Sequence, residues 1–103
     1  MAENARPATP TEIRDMEQAQ RLFMFKVLEE RRRQDEKWGK NFVAVDRMLV
    51  ILGEEIGEVC KARLDSSGNS TPNKATVNDL LDEIVQSAAV LSKLYELVQA
   101  GAR

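Results

Sequence analysis

Apolar residues recur at helical spacing in three stretches of the chain, separated by polar or turn-forming segments. In the first stretch, Ile13, Met16, Phe23 and Val27 form a stripe that Leu22, Met24, Phe25 and Leu28 widen. Ahead of it, Thr9-Pro10-Thr11-Glu12 reads as a helix start, with Thr9 as N-cap, Pro10 at the first helical position and Glu12 closing a capping box. The second half of this helix, Glu29 to Lys37, is almost entirely charged, and Gly39 is the expected stop. A connection from Lys40 to Ala44 leads to a second helix, from Val45 or Asp46 to about Leu64. Its Val45, Leu49, Leu52, Ile56 and Val59 form a continuous core stripe. Asp65 to Asn73 is loop by composition. The third helix is expected from near Thr76, with Asp79 as a weak capping partner, to about Gln99 before Gly101. Leu80, Ile84, Leu91, Tyr95 and Val98 are its expected core face, with Asp79, Glu83, Gln86 and Val90 on the neighbouring one.

The pattern predicts an all-α fold: a disordered lead-in over residues 1–8 and a single domain over 9–103. Two long helices with a short link make an antiparallel hairpin, and the third folds back or crosses. Three helices with this much apolar surface leave a face uncovered. A homodimer or homotetramer is therefore expected, in which helices of two subunits complete a four-helix bundle.

Composition narrows the chemistry. The chain is 43% hydrophobic and 31% charged, which is too apolar for disorder. A net charge of −2 provides no strong field for nucleic acid. Arg31-Arg32-Arg33 does not change that, because Glu29, Glu30, Asp35 and Glu36 offset the run, which reads as a solvated face. No apolar stretch reaches membrane-spanning length and the polar N-terminus does not resemble a signal peptide, so a cytoplasmic protein without membrane contact is expected. Cys60 is the only cysteine, which excludes an intramolecular disulfide, and it reads as a small interior residue without a redox role. Histidine is absent, which removes His-based catalysis and the commonest zinc ligand. A metal site must then be all-oxygen, favouring magnesium, manganese or calcium.

The acids that could build one are concentrated in Glu54-Glu55-Ile56-Gly57-Glu58, inside the second apolar stripe. Three carboxylates within five helical residues repel one another and invite a cation, although a solvated acidic face is the plainer alternative. With Glu83 on the next helix, this segment resembles the MazG-like branch of the all-α nucleoside triphosphate pyrophosphohydrolases. Their pattern is Glu-Glu-x-x-Glu, a spacer, then Glu-x-x-Asp, and the spacer here runs from Val59 to Asp82. Gln34-Asp35-Glu36-Lys37-Trp38-Gly39 also resembles the segment preceding the acidic helix in small MazG-like proteins. The likeness spans roughly residues 30 to 98.

The resemblance implies magnesium- or manganese-dependent hydrolysis of a nucleoside triphosphate, often a deoxynucleotide, to the monophosphate and pyrophosphate, as house-cleaning of the nucleotide pool. Carried over by motif position, Glu55, Glu58 and Glu83 are metal ligands, and Glu54 is the catalytic base or an outer carboxylate. Gln86 stands where the family has Asp. Its neutral carbonyl oxygen can still ligate, so the change reads as a subtype or else marks an inactive member. Lys61, one turn beyond Glu58, is a candidate for phosphate contact, as is one member of Arg31-Arg32-Arg33. Trp38 is a candidate for base stacking or for core packing, and Gln34 and Asn41 for hydrogen bonds to base or sugar. Two rival readings are a helical protein-interaction module with a merely soluble acidic face, and a degenerate nucleotide-binding sensor.

Overall fold

Thr9 starts the first helix through the expected capping box. Its Oγ1 accepts a hydrogen bond from the Glu12 amide at 3.1 Å, and Glu12 Oε1 accepts one from the Thr9 amide at 3.1 Å. Arg6 adds two bonds of 2.8 Å to the Glu12 carboxylate. That guanidinium, helped by the Thr9 bonds, holds the Glu12 carboxyl at about 2. The other end is set by Gly39, whose amide bonds to the Asp35 carbonyl at 2.8 Å. Its φ of 87° is one that only glycine adopts readily.

The computed structural model describes residues 6–39, 44–67 and 74–102. Among these it contains three helices and no strand: α1 (Pro10–Trp38), α2 (Val45–Ser67) and α3 (Lys74–Gln99). Most of the expected lead-in, residues 40–43 of the first connection (with Asn41) and residues 68–73 of the second lie outside the described residues. Two boundaries differ from expectation. α2 continues through Asp65, Ser66 and Ser67, because those residues disfavour helix only mildly and the strong breakers, Gly68 and Pro72, come later. α3 begins at Lys74, ahead of Thr76.

The central element is α3. Both other helices pack on it, and α1 and α2 do not pack on each other. The antiparallel hairpin is formed by α2 and α3, the pairing that lets Glu55 and Glu58 face Glu83, and α1 and α2 make none. Met48 lies with Val90, Leu94 and Leu97 at one end of the pair, and Asp65 lines a cleft with Asp79 at the other, so the two run antiparallel. α1 crosses α3 through its charged half. Arg31 reaches Ser92 Oγ at 2.7 Å and the Glu96 carboxylate, while Gln34 reaches the Gln86 carbonyl at 3.3 Å. Lys93 and Arg31 approach Asp35 Oδ1 at 3.7 and 3.6 Å. Arg31 thus belongs to an interhelical ion-pair network, whereas Arg32 and Arg33 are exposed.

The core is small. Met48, Ala89, Val90, Leu94 and Leu97 are buried, and Trp38, Val45, Ile51, Leu52 and Ala102 pack against the cluster. Fully burying Met48 and Val90 contributes about 1.5–3 kcal/mol each. The expected core face of α3 is displaced. Leu91, Tyr95 and Val98 are 51%, 68% and 60% exposed, while the inward arc runs through Gln86, Ser87, Val90, Lys93, Leu94 and Leu97. The reason is positional: with α1 on one flank of α3 and α2 on the other, the buried arc lies between them, and the apolar stripe falls beyond α2. There it joins Val45 and Leu49 of α2 in one apolar depression. The expected α2 stripe is split likewise: Leu49 and Ile56 are exposed, Val45, Leu52 and Val59 are half-buried, and the buried residue is Met48, outside the stripe. Cys60 is exposed and not interior, because it lies on this same uncovered side of α2. Among the described residues no helix is long and apolar enough to cross a membrane.

Candidate functional site

The acidic residues occupy the end of the α2–α3 pair away from the core. Helical spacing places Glu55 on the α3-facing side of α2 and Glu83 on the inward arc of α3. Ser87 Oγ donates to the Glu83 carbonyl at 2.9 Å, one turn along that arc. Oε2 of Glu55 and Oε2 of Glu83 are both buried and have no hydrogen-bond partner. Burial raises the Glu55 carboxyl above the ordinary 4.5, and the charges of Glu83, Glu30, Glu58 and Glu54 raise it further. Burial also raises Glu83, followed by the charges of Glu58, Asp82 and Asp79, while the nearness of the Glu55 carboxyl, which could donate a bond only when protonated, works in the opposite direction. Such a pair is relieved either by a shared proton or by a cation.

Glu58 is exposed and lines a cleft of about 370 Å³ with Lys61, Ala62 and Asp65 of α2 and Asp79, Asp82, Glu83 and Gln86 of α3. The structure therefore brings Glu58, Lys61, Glu83 and Gln86 to one cleft, with Glu55 facing Glu83. Glu54 is exposed on the next position of α2 and is not among the cleft-lining residues.

Trp38 and Gln34 are placed elsewhere. Trp38 packs against the core cluster, with Lys37 Nζ 5.7 Å from its ring centroid, which is the packing alternative of the sequence reading. Gln34 is the only buried residue of α1, at 4% exposure. Its Nε2 donates to Glu30 Oε2 at 3.1 Å and to the Gln86 carbonyl at 3.3 Å, and its Oε1 is buried without a partner. Gln34 thus ties α1 to the turn of α3 that carries Gln86.

Two residues in this neighbourhood were hidden inside the charged run. Glu30 is near enough for its charge to raise the Glu55 carboxyl. Arg33 grips Glu30 with bonds of 2.8 Å from Nε and 2.6 Å from Nη2, and this pairing holds the Glu30 carboxyl below its ordinary range. The i,i+3 spacing of Glu30 and Arg33 was visible in the sequence. Their position beside Glu55 depends on the crossing of α1 over α3 and carried no local signal.

The fit of a divalent ion rests on the donors. All are oxygens, which suits magnesium or manganese, and two are buried carboxylate oxygens without partners. Those two form the converging part of the site. Among the described residues no group of three or more His, Cys, Asp or Glu side chains is gathered closely enough to hold an ion. Glu58 and Gln86 stand on the wall of the cleft that Glu83 also lines. Comparison of the chain with protein-family models, curated proteins and solved structures gives no match.

Proposed function

We propose that the chain is a metal-dependent nucleoside triphosphate pyrophosphohydrolase, converting a nucleoside triphosphate, with deoxynucleotides foremost, to the monophosphate and pyrophosphate. The observation that carries this reading is the confrontation of Glu55 and Glu83 across α2 and α3, each with a buried carboxylate oxygen that nothing satisfies. In a protein without histidine, such oxygens suit a hard divalent cation. The likeness of Glu54 to Glu58 and of Glu83 to the MazG-like pattern supplies the reaction and the bond cleaved.

Glu55, Glu58 and Glu83 would hold the ion, with the side-chain amide oxygen of Gln86 as a further, neutral donor. Bound magnesium or manganese supplies neutralisation of the triphosphate oxygens and a more acidic water. Glu54, solvent-facing beside Glu55, orients the attacking water and accepts its proton. The water oxygen forms a new bond to a phosphoryl phosphorus as the α–β bridging P–O bond breaks, leaving nucleoside monophosphate and pyrophosphate. Lys61, on the cleft wall, meets a phosphate oxygen. Gln34 holds the frame from inside, and Trp38 anchors the end of α1 in the core. Such chemistry needs positioning and charge compensation more than a protein nucleophile.

Self-association is part of the same proposal. The depression lined by Val45, Leu49, Leu91, Leu94, Tyr95 and Val98 is an apolar strip along the outer side of α2 and α3. A second copy laid on it pairs two α2–α3 hairpins into a four-helix bundle and removes the strip from water.

The test is a screen of the common NTPs and dNTPs with magnesium and manganese, reading released pyrophosphate. Glu55→Gln is expected to abolish turnover while leaving the helical fold intact. Absence of turnover on every nucleotide overturns the enzymatic reading, and tight nucleotide binding without turnover would then favour the sensor. Restoration of turnover by Gln86→Asp would place the defect at that one ligand.

A further inference from the structure

Of the three arginines in the charged run, only one is placed to meet a ligand of the acidic cleft. Arg31 is turned into the α1–α3 interface on Glu96, Ser92 and Asp35. Arg32 lines an apolar depression beside Phe23, Met24 and Leu28. Arg33 has a side chain 58% exposed and lines a second cleft, of about 500 Å³, between α1 and α3. Lys26, two helical turns earlier, stands on the same wall.

This second cleft and the acidic cleft share Asp82 and Gln86. Since α1 and α2 each rest on α3 and not on each other, the two clefts lie side by side along α3 and meet at Asp82 and Gln86. α3 supplies the floor with Asp82 and Gln86, α2 the acidic wall, and α1 a wall of mixed charge on which Lys26 and Arg33 stand with Glu29 and Glu30. Arg33 already holds the two oxygens of Glu30 in a fork. A phosphate presents the same spacing of oxygens with up to twice the charge. Glu30 keeps its bond from Gln34 when Arg33 turns away, so its release strands no buried acceptor.

We propose that the α1–α3 cleft seats the outer phosphates of a polyphosphate ligand, with Arg33 exchanging Glu30 for phosphate oxygens and Lys26 adding a second cation. The proposal rests on the pyrophosphohydrolase reading and assigns it a specificity element: ligands with an outer phosphate tail engage Arg33, and monophosphates do not.

The probe is inorganic tripolyphosphate, titrated calorimetrically into the full chain with and without magnesium. Arg33→Gln is expected to weaken binding about tenfold or more, the loss of a charge-assisted fork, and Arg33→Lys to fall between. Glu30→Gln removes the competing carboxylate while leaving Gln34 a partner, and is expected to tighten binding. Nucleoside monophosphate affinity should not respond to Arg33→Gln, and the triphosphate KM should rise with kcat little changed. Equal tripolyphosphate affinity in wild type and Arg33→Gln, absence of tripolyphosphate binding by the folded wild type, or no tightening in Glu30→Gln overturns the proposal. Arg33-dependent tripolyphosphate binding without hydrolysis of any nucleotide would instead remove the enzymatic reading and leave the cleft standing. Hydrolysis with a KM indifferent to Arg33 would do the reverse.

Discussion

Replacing Glu83 by Gln should make the metal-free protein more stable at neutral pH, although it removes a proposed ligand. In the wild type, two buried carboxylate oxygens face each other without donors. The substitution removes one negative charge and supplies an amide N–H that the Glu55 carboxylate can accept. Leaving a buried acceptor unpaired costs about 1–3 kcal/mol, and because both residues are only half-buried the low end applies, about 1 kcal/mol. For a domain of this size that is a rise of about 4–6 °C in Tm. The pH dependence has a definite sign. Both carboxyls are raised above 4.5 in the folded state, so between 4.5 and the raised values the folded chain binds more protons than the unfolded one. Wild-type stability therefore falls as pH rises through that window, and the penalty is absent below 4.5. The advantage of Glu83→Gln should vanish near about pH 4 and grow as pH rises through the raised values toward neutrality. Thermal unfolding followed by circular dichroism in a chelator, at several pH values, reads this directly. Added magnesium should raise the wild-type Tm and reverse the order of the two proteins. A Glu83→Gln protein that melts at or below wild type in chelator at neutral pH would refute the confrontation of the two acids.

Other substitutions test the frame. Gly39→Ala should cost about 1–3 kcal/mol from backbone strain alone, since φ is 87° and nothing lies within 4 Å of an added Cβ; a chemical denaturation midpoint equal to wild type would contradict it. Arg31→Met should destabilise by about 1–2 kcal/mol, because Asp35 and Glu96 lose their shared partner in the α1–α3 interface. Its mark would be faster amide exchange in α1 than in α2, and uniform exchange would argue against a local ion-pair network. Tyr95→Glu puts a charge on the exposed apolar strip and should shift the assembly toward monomer by at least about tenfold in Kd, read by light scattering. An unchanged mass would move the subunit contact elsewhere.

What the sequence revealed was local. Thr9, Pro10, Glu12 and Gly39 bound α1 where expected because caps depend on neighbours within one turn. The uncovered apolar face was also foreseeable, from too much apolar surface for three helices. Its location was not. Periodicity finds the stripe of Leu91, Tyr95 and Val98 but cannot say whether a helix of the same chain covers it. Gln34 shows the limit more sharply: it is the one buried residue of α1, yet it sits among charged neighbours with nothing apolar in the pattern to mark it. Glu55 and Glu83 were singled out only through a motif that spans two helices, since each alone looks like any surface acid. Glu30 and Arg33 belong to no such pattern, and their place beside Glu55 follows from the crossing of α1 over α3.

The separation of Met48, Val90, Leu94 and Leu97 from the acidic end of the same two helices has a consequence for how the protein can change. It resembles a tuning fork, clamped at the stem and open at the tines. Exchanges at Lys61, Asp79 or Asp82 alter the lining between the tines without loosening the stem, so the chemistry of that end can drift without passing through an unfolded ancestor.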